Sequence, residues 1–279
     1  MEQYTTHIKA KTGWLDIDLK ELWYYRDLIV LFVKRNYSTR YKQTILGPMW
    51  LILNPLITVL LYNLVFGNIA GLSTDGSPQF AFYLCSNAIW SFFATCITNT
   101  SNTFTANAVI MGKVYFPRLV MPISSVITGF LDLLIQLLML VIVLVGYAIV
   151  GVPVNVTLMM AISPLLVLQV ALLGLGCGII IAACTTKYRD LAVLVSFGVQ
   201  LWMYVSPVVY TTASIPDNLK GIYMLNPMAP IISCWRYAIL GTGEFSVGYW
   251  GISWVVTLVI LVFGVIIFSH IEKTFMDTV

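Results

Sequence analysis

The 279-residue chain carries 15 Lys and Arg against 12 Asp and Glu, a formal net charge of +3. Only 10% of its residues are charged and 59% are hydrophobic, with a mean hydropathy of +0.89, whereas a soluble domain devotes roughly a quarter of its residues to charge. That composition excludes a soluble globule, and so small a positive excess does not by itself suggest nucleic acid as a partner.

The first 46 residues are polar to amphipathic and lack the compact charged head, short apolar core and small-residue cleavage site of a removable signal, so they are expected to stay in the mature chain. Within them, over Leu19–Tyr41, apolar Leu22, Trp23, Leu28, Ile29, Phe32 and Val33 alternate with Glu21, Arg26, Asp27, Lys34 and Arg35. This predicts an amphipathic helix along the cytoplasmic membrane interface, with its basic ends near anionic headgroups. A cytoplasmic helix packed on the bundle buries the same stripe, and both readings stand at this point.

Apolar stretches follow at Met49–Phe66, Phe80–Thr100, Leu119–Val150, Val156–Ala183, Leu191–Tyr210 and Trp250–Ser269. A helix crosses the bilayer in about 20 residues, so six spans are predicted. The third and fourth stretches exceed one crossing, and tilt or continuation past the bilayer absorbs the surplus. Asn54–Pro55 and Ser206–Pro207 predict bends in or near the first and fifth spans.

Between the second and third spans, Pro117 and Pro122 disfavour one uninterrupted helix, which predicts a short cytoplasmic helix and then a kinked start to the third span. Residues 211–248, between the fifth and sixth spans, open on SIPDNLKG and continue through the apolar YMLNPMAPIISCWRYAIL, broken by Pro227 and Pro230. Two short helices dipping into the outer leaflet fit this pattern, provided that protein or a cavity satisfies their ends. A simple extracellular cap is the alternative.

With six spans, Lys9, Lys11, Lys20, Arg26, Lys34, Arg35, Arg40, Lys42, Lys113, Arg118, Lys187, Arg189 and Lys273 all fall on one side, 13 of the 15 basic residues. Only Lys220 and Arg236 fall on the other, which places both termini in the cytoplasm. One missed crossing would scramble that asymmetry. The expected fold is therefore an all-α polytopic membrane protein, with a cytoplasmic N-terminal segment over 1–46 and a six-span domain over 47–279.

No GxxxxGK[ST] phosphate loop occurs, so the chain has no nucleotide site of that class. Gly174, Gly176 and Gly178 of LLGLGCG lie inside an apolar stretch and predict close helix packing. His7 and His270 stand near opposite ends of the chain. Cys85, Cys96, Cys177, Cys184 and Cys234 lack metal-ligand spacing, and no catalytic constellation or metal site is expected.

Asp132 is the one acidic residue well inside a predicted span. Structural pairing or a place near the cytoplasmic edge suits it better than an ion relay, since the spans offer no second carboxylate. The chain also holds 8 Trp, 15 Tyr and 14 Phe. Trp50, Trp90, Trp250 and Trp254 are candidate interfacial anchors. Tyr62 and Phe66 on the first span, with Trp202, Tyr204 and Tyr210 on the fifth, are candidates for lining a passage in which ring faces meet the C–H faces of sugars.

The segment RNYSTRYKQTILGPMWLILNPL, the kinked MGKVYFPRLVMP, the TTKYRDL connection and LNPMAP occur in that order across the six-span plan. Together they resemble the permease subunits of type-2 ABC exporters, particularly those that export O-antigen, teichoic acid or capsular polysaccharide. The resemblance implies a homodimer bound by two copies of a separate cytoplasmic ATPase, with ATP and Mg held on that partner and no cofactor in this chain. It implies a coupling helix within residues 102–113, with Asn102, Asn107, Met111 and Lys113 as candidate contacts. It further implies an outer gate including Tyr223, Asn226, Pro227, Trp235 and Arg236. Lipid-linked polymer would be taken up near the interface helix, where Arg35, Arg40 and Lys42 are candidates for its pyrophosphate or, equally, for membrane lipids and inside orientation. A type-2 permease for a drug, lipid or peptide, an ATPase-independent channel or scaffold, and an enzyme of lipid-linked sugars are the rival readings.

Overall fold

A computed structural model describes residues 19–42, 44–114, 116–152, 157–187 and 190–278. His7, Lys9, Lys11, Gln43, Tyr115, Val156, Tyr188 and Arg189 lie outside the described residues, as do the side chains of Tyr41, Lys187, His270 and Lys273. Every regular element among the described residues is helical. Two helices, α1 (Leu19–Tyr24) and α2 (Arg26–Tyr41), meet at Tyr25, and α3 (Trp50–Tyr62) follows behind a tight turn at Gly47–Met49. The rest are α4 (Gln79–Ser101), α5 (Thr103–Met111), α6 (Val120–Ile149), α7 (Ser163–Lys187), α8 (Leu191–Tyr204), α9 (Asp217–Tyr223), α10 (Met228–Leu240) and α11 (Val247–Thr278).

Five of these helical rods are long and apolar enough to cross a bilayer: Gly47–Ile69, Gln79–Ser101, Val120–Ile149, Leu158–Thr185 and Val247–Ser269. The chain is thus a polytopic α-helical membrane protein. The fifth apolar stretch behaves differently. Its helix, α8, has 14 residues and reaches about 21 Å at 1.5 Å per residue, short of the roughly 30 Å of hydrocarbon. Pro207 ends it, because proline has no N–H to donate and pushes Ser206 out of the helical region; the chain turns there, with the Val208 N–H on the Ser206 carbonyl at 2.7 Å.

The prolines before the third long helix act differently. Pro122 is the third residue of α6, in the first turn, where its missing N–H would have had no helical partner. The helix therefore starts beside the proline rather than kinking at it.

The main core forms around α4. In its most apolar stretch 78% of residues are buried, against 6% for the rod built on α3, which lies at the periphery of the bundle. The glycines of LLGLGCG set the closest approaches. A Cβ on Gly174 would stand 2.5 Å from Cys96 Cβ, and one on Gly178 would stand 2.5 Å from Thr100 Cβ, both on α4. On the opposite side of α7, a Cβ on Gly176 would meet the Leu261 Cα of α11 at 2.9 Å. The three glycines thus let α7 press against two helices at once, the role that small residues play where lipid supplies no hydrophobic drive.

A second core lies under α2. Phe32 is buried against Phe116, ring centroids 5.7 Å apart, in a cluster with Phe104, Met111, Val120 and Phe268. Val30 and Leu31 of α2, like Trp23 and Tyr24 of α1, remain exposed. So α2 docks one apolar stripe on the bundle and keeps other apolar side chains outside it.

Candidate functional site

Three of the long apolar helices carry polar residues at helical spacing, and these residues meet. Asn87, Ser91, Thr95 and Thr98 recur every three or four positions on α4, and so do Thr128, Asp132 and Gln136 on α6. Trp50, Asn54 and Thr58 do the same along α3. Such spacing puts each set on one face of its helix. The faces border an open cavity of about 510 Å³. From Asn87 to Asn99 the α4 stripe runs about 18 Å along the helix axis.

A second cavity, of about 550 Å³, adjoins it and shares Arg40 and Asn99 as wall. Arg35, Asn36 and Thr39 of α2, Asn102 and Asn107 beside and on α5, and Ser125 of α6 line it. Both volumes fall within the usual range for small-molecule pockets, about 300–1,000 Å³. Arg40 stands between the two cavities, where its guanidinium donates to Asp132 Oδ2 at 2.5 Å. The other oxygen, Asp132 Oδ1, is buried without a hydrogen-bond partner among the described residues. The pairing expected of Asp132 is therefore present, and its partner comes from the N-terminal helix.

Arg35 donates to Asn107 Oδ1 at 2.7 Å and to Asn36 Oδ1 at 3.0 Å, and its guanidinium lies 4.7 Å from the centre of the Phe32 ring. Burial pushes its guanidinium down from its ordinary value, yet arginine stays a cation at neutral pH. Lys42 does not join the two arginines. It caps α2 through its backbone N–H on Ser38 and remains exposed. The residues chosen in the 102–113 segment also divide: Asn102 and Asn107 line the cavity, Met111 is buried in the second core, and Lys113 is exposed.

The predicted aromatic and outer-region residues converge on a second centre at the far end of α8. Asn226 is its hub. Its Oδ1 accepts from Trp202 Nε1 at 3.0 Å and from the Met228 N–H at 3.2 Å, while its Nδ2 donates to Ser206 Oγ at 3.0 Å and the Val205 carbonyl at 3.2 Å. The groups left open by the break at Pro207 are thus satisfied from the loop before α10. Arg236, almost fully buried, donates to the Pro207 carbonyl at 2.9 Å and the Tyr210 carbonyl at 3.0 Å and lies over the Phe82 ring at 4.5 Å.

Tyr210 bonds the Tyr223 hydroxyl and the Tyr204 carbonyl, each at 3.0 Å. Trp235 is buried, with its indole N–H on the Cys85 carbonyl at 3.0 Å. Trp202 also packs edge-on against Phe93 at 5.2 Å. Tyr62 packs against Phe66 and Tyr83 and donates to Met203 Sδ at 3.0 Å. Pro227 accepts from Ser253 Oγ at 2.8 Å, and Ser253 in turn accepts from Gln169 Nε2 at 2.9 Å. Gln169 and Ser253 are buried polar groups on α7 and α11 that anchor the outer segment from below. Neither they nor the polar stripes draw notice from a search for charges and rings. The stripes become visible when Asn, Gln, Ser and Thr inside an apolar stretch are tested for helical period.

Comparison with known proteins agrees with this architecture. The ABC-2 type transporter family profile matches residues 27–240. The chain is 29% identical over 257 residues to an O-antigen export system permease protein RfbA of Klebsiella pneumoniae, covering 92% of this chain and 96% of that protein. A second Klebsiella pneumoniae RfbA is 28% identical over the same length. The RfbA of Myxococcus xanthus is 30% identical over 222 residues, 78% of this chain and 82% of its own length. With a match reaching from α2 to the end of α10, the chain belongs to the ABC-2 type transporter family, whose members are transport permeases, and it is related to the O-antigen export permeases.

Proposed function

We propose that this chain is the transmembrane subunit of an ATP-driven exporter that moves a lipid-linked polysaccharide, O-antigen or a similar glycan, across the bacterial cytoplasmic membrane. The observation that carries the reading is the cavity shared by α2 and α5. Two guanidiniums on α2 and two amides at α5 face one space at the end of the bundle. Arg35, hydrogen-bonded to the neutral amides of Asn36 and Asn107, and Arg40, which shares its charge with Asp132, are the candidates for a phosphate or pyrophosphate head, and α5, hydrogen-bonded to Arg35, is where a partner's push would reach that space. Lys42, exposed at the end of α2, stands where it can meet headgroups outside the cavity.

In this reading the chain does no covalent chemistry. ATP and Mg are held by two copies of a cytoplasmic ATPase subunit, which press on the 102–113 segment, and a second copy of the permease completes the path. Six crossings follow when α8 and the turn after it count as the fifth, with α9 and α10 re-entering from the outer side as the gate. Both termini then lie in the cytoplasm. Tyr62, Phe66, Trp202, Tyr204 and Tyr210 form the aromatic side of the path toward that gate. The names of the relatives support a glycan cargo.

Reconstitution with the partner ATPase in proteoliposomes tests this. ATP-dependent delivery of a lipid-linked glycan to the lumen is the expected result. ATP-dependent movement of drugs or plain lipids, with every lipid-linked glycan left in place, would replace it with the rival permease reading; glycan transfer without the ATPase would favour a channel.

A further inference from the structure

The cavity between α3, α4 and α6 has a chemistry that neither phosphate capture nor ATPase coupling uses. Its two ionisable groups, Arg40 and Asp132, already neutralise each other at 2.5 Å. What remains is amide and hydroxyl. Asn54, Asn87 and Asn99 line it, and their side chains hydrogen-bond no other described residue. Gln136 and Ser91 bond each other across the α4–α6 seam at 2.9 Å.

An anion site needs donors, and a cation site needs acceptors. An amide offers both. Three amides without a partner among the described residues, inside helices otherwise built for hydrocarbon, are costly unless water or a ligand satisfies them. The ligand class whose groups also both donate and accept is the hydroxyl of an uncharged sugar. Trp50, 40% exposed on the same wall, adds an apolar ring face for sugar C–H groups.

We propose that this inner cavity is a binding subsite, formed within one protomer, for a neutral hydroxyl-rich sugar, with Asn54, Asn87 and Asn99 as the hydrogen-bonding residues and Trp50 as the platform. The identity of its biological ligand, the sugars next to the lipid pyrophosphate, rests on the export reading. The subsite adjoins the Arg35 and Arg40 cavity through Arg40 and Asn99, so a phosphate in one and a sugar in the other would be neighbours.

The test uses the full chain in lipid nanodiscs, without the ATPase, and saturation-transfer NMR with two probes, maltotriose and trigalacturonate, and inorganic pyrophosphate as competitor. Maltotriose is expected to receive saturation more strongly than trigalacturonate. Asn54→Leu and Asn87→Leu should each weaken its binding roughly three- to tenfold, the scale of one lost hydrogen bond. Asn54 is exposed on the isolated chain, so its variant keeps the experiment informative if Asn87→Leu misfolds. Maltotriose binding that is absent, equal in wild type and Asn54→Leu, or weaker than trigalacturonate binding overturns the subsite. Pyrophosphate competing with maltotriose at the same variant-sensitive site does so too.

The proteoliposome assay separates this proposal from the export reading. Wild-type glycan export with no Asn54-dependent sugar binding removes the subsite and leaves the exporter. Asn54-dependent sugar binding without any glycan export leaves the subsite and removes the exporter.

Discussion

Arg40 on α2 and Asp132 on α6 stand 92 positions apart in the sequence, yet the guanidinium donates to the carboxylate at 2.5 Å. The pair closes the wall between two polar cavities and ties the N-terminal helix to a long apolar one. The Asp132 side chain is 14% exposed and that of Arg40 is 35% exposed, so the two ends of the pair differ in what they leave behind when cut.

Arg40→Met strands a carboxylate among apolar helices and is expected to cost about 2 kcal/mol, below the fully buried case because Arg40 is partly solvated. Asp132→Asn leaves a guanidinium that can turn toward the outer cavity, so it should cost less, about 1 kcal/mol. Arg40→Met combined with Asp132→Asn should recover most of the loss. Thermal unfolding of the four proteins in one detergent reads the cycle; equal costs for both single variants and no recovery in the double would show that the pair is not a coupled unit.

The glycines of α7 give a steric prediction. Gly178→Leu would drive a side chain into Thr100, and Gly174→Leu into Cys96, because the first added atom already falls 2.5 Å from a Cβ on α4. Overpacking of this kind costs about 1–3 kcal/mol or more, and the yield of monodisperse protein should drop sharply. Gly146 on α6, with nothing within 4 Å of its added Cβ, is the control: Gly146→Leu should purify as wild type. Normal yield from Gly178→Leu would mean that α4 and α7 pack less closely than described.

How much of this was legible depends on the residue. Five of the six apolar stretches appear within a few residues of their predicted ends, because a long run of apolar side chains admits few alternatives to a spanning helix. The fifth, at Leu191–Tyr210, is cut to a helix ending at Tyr204: Pro207 marks a bend in the sequence, but hydropathy alone runs the span past it. Asp132 stood out as a lone charge, but its partner is set by how α2 docks, which no local pattern encodes. The amides of the inner cavity stood out even less. Each is a single uncharged residue diluted in a long apolar stretch, and only their spacing on separate helices betrays a common wall.

Asn226 is expected to matter more than the aromatics around it. Asn226→Leu removes four hydrogen bonds and leaves the Val205 carbonyl and Trp202 Nε1 without their partner, a loss of about 2–3 kcal/mol. Trp202→Phe removes one bond and keeps an aromatic ring against Phe93, and should cost about 1 kcal/mol. Limited proteolysis between α8 and α10 should therefore speed up far more in Asn226→Leu than in Trp202→Phe. The reverse order would show that ring packing, rather than the Asn226 hub, holds the outer segment.

The contact between Arg35 and Asn107 bridges 72 positions at 2.7 Å and joins α2 directly to α5. If α5 receives the ATPase's motion, this bond is the shortest way for it to reach the helix that carries both arginines. Asn107 is held in turn by its own Nδ2 on the Thr103 carbonyl at 2.8 Å, so its acceptor oxygen is aimed by the helix it moves with. Asn107→Leu should leave ATP turnover of the assembled transporter near wild type while lowering glycan exported per ATP roughly tenfold, since hydrogen bonds to a charged group contribute about 1.5–3 kcal/mol. Asn107→Asp retains an acceptor for the guanidinium and should keep the ratio near wild type. Export per ATP that survives in Asn107→Leu would place the coupling elsewhere on α5 or outside it, and a ratio lost equally in both variants would mean that the amide nitrogen, with its grip on Thr103, matters more than the link to Arg35.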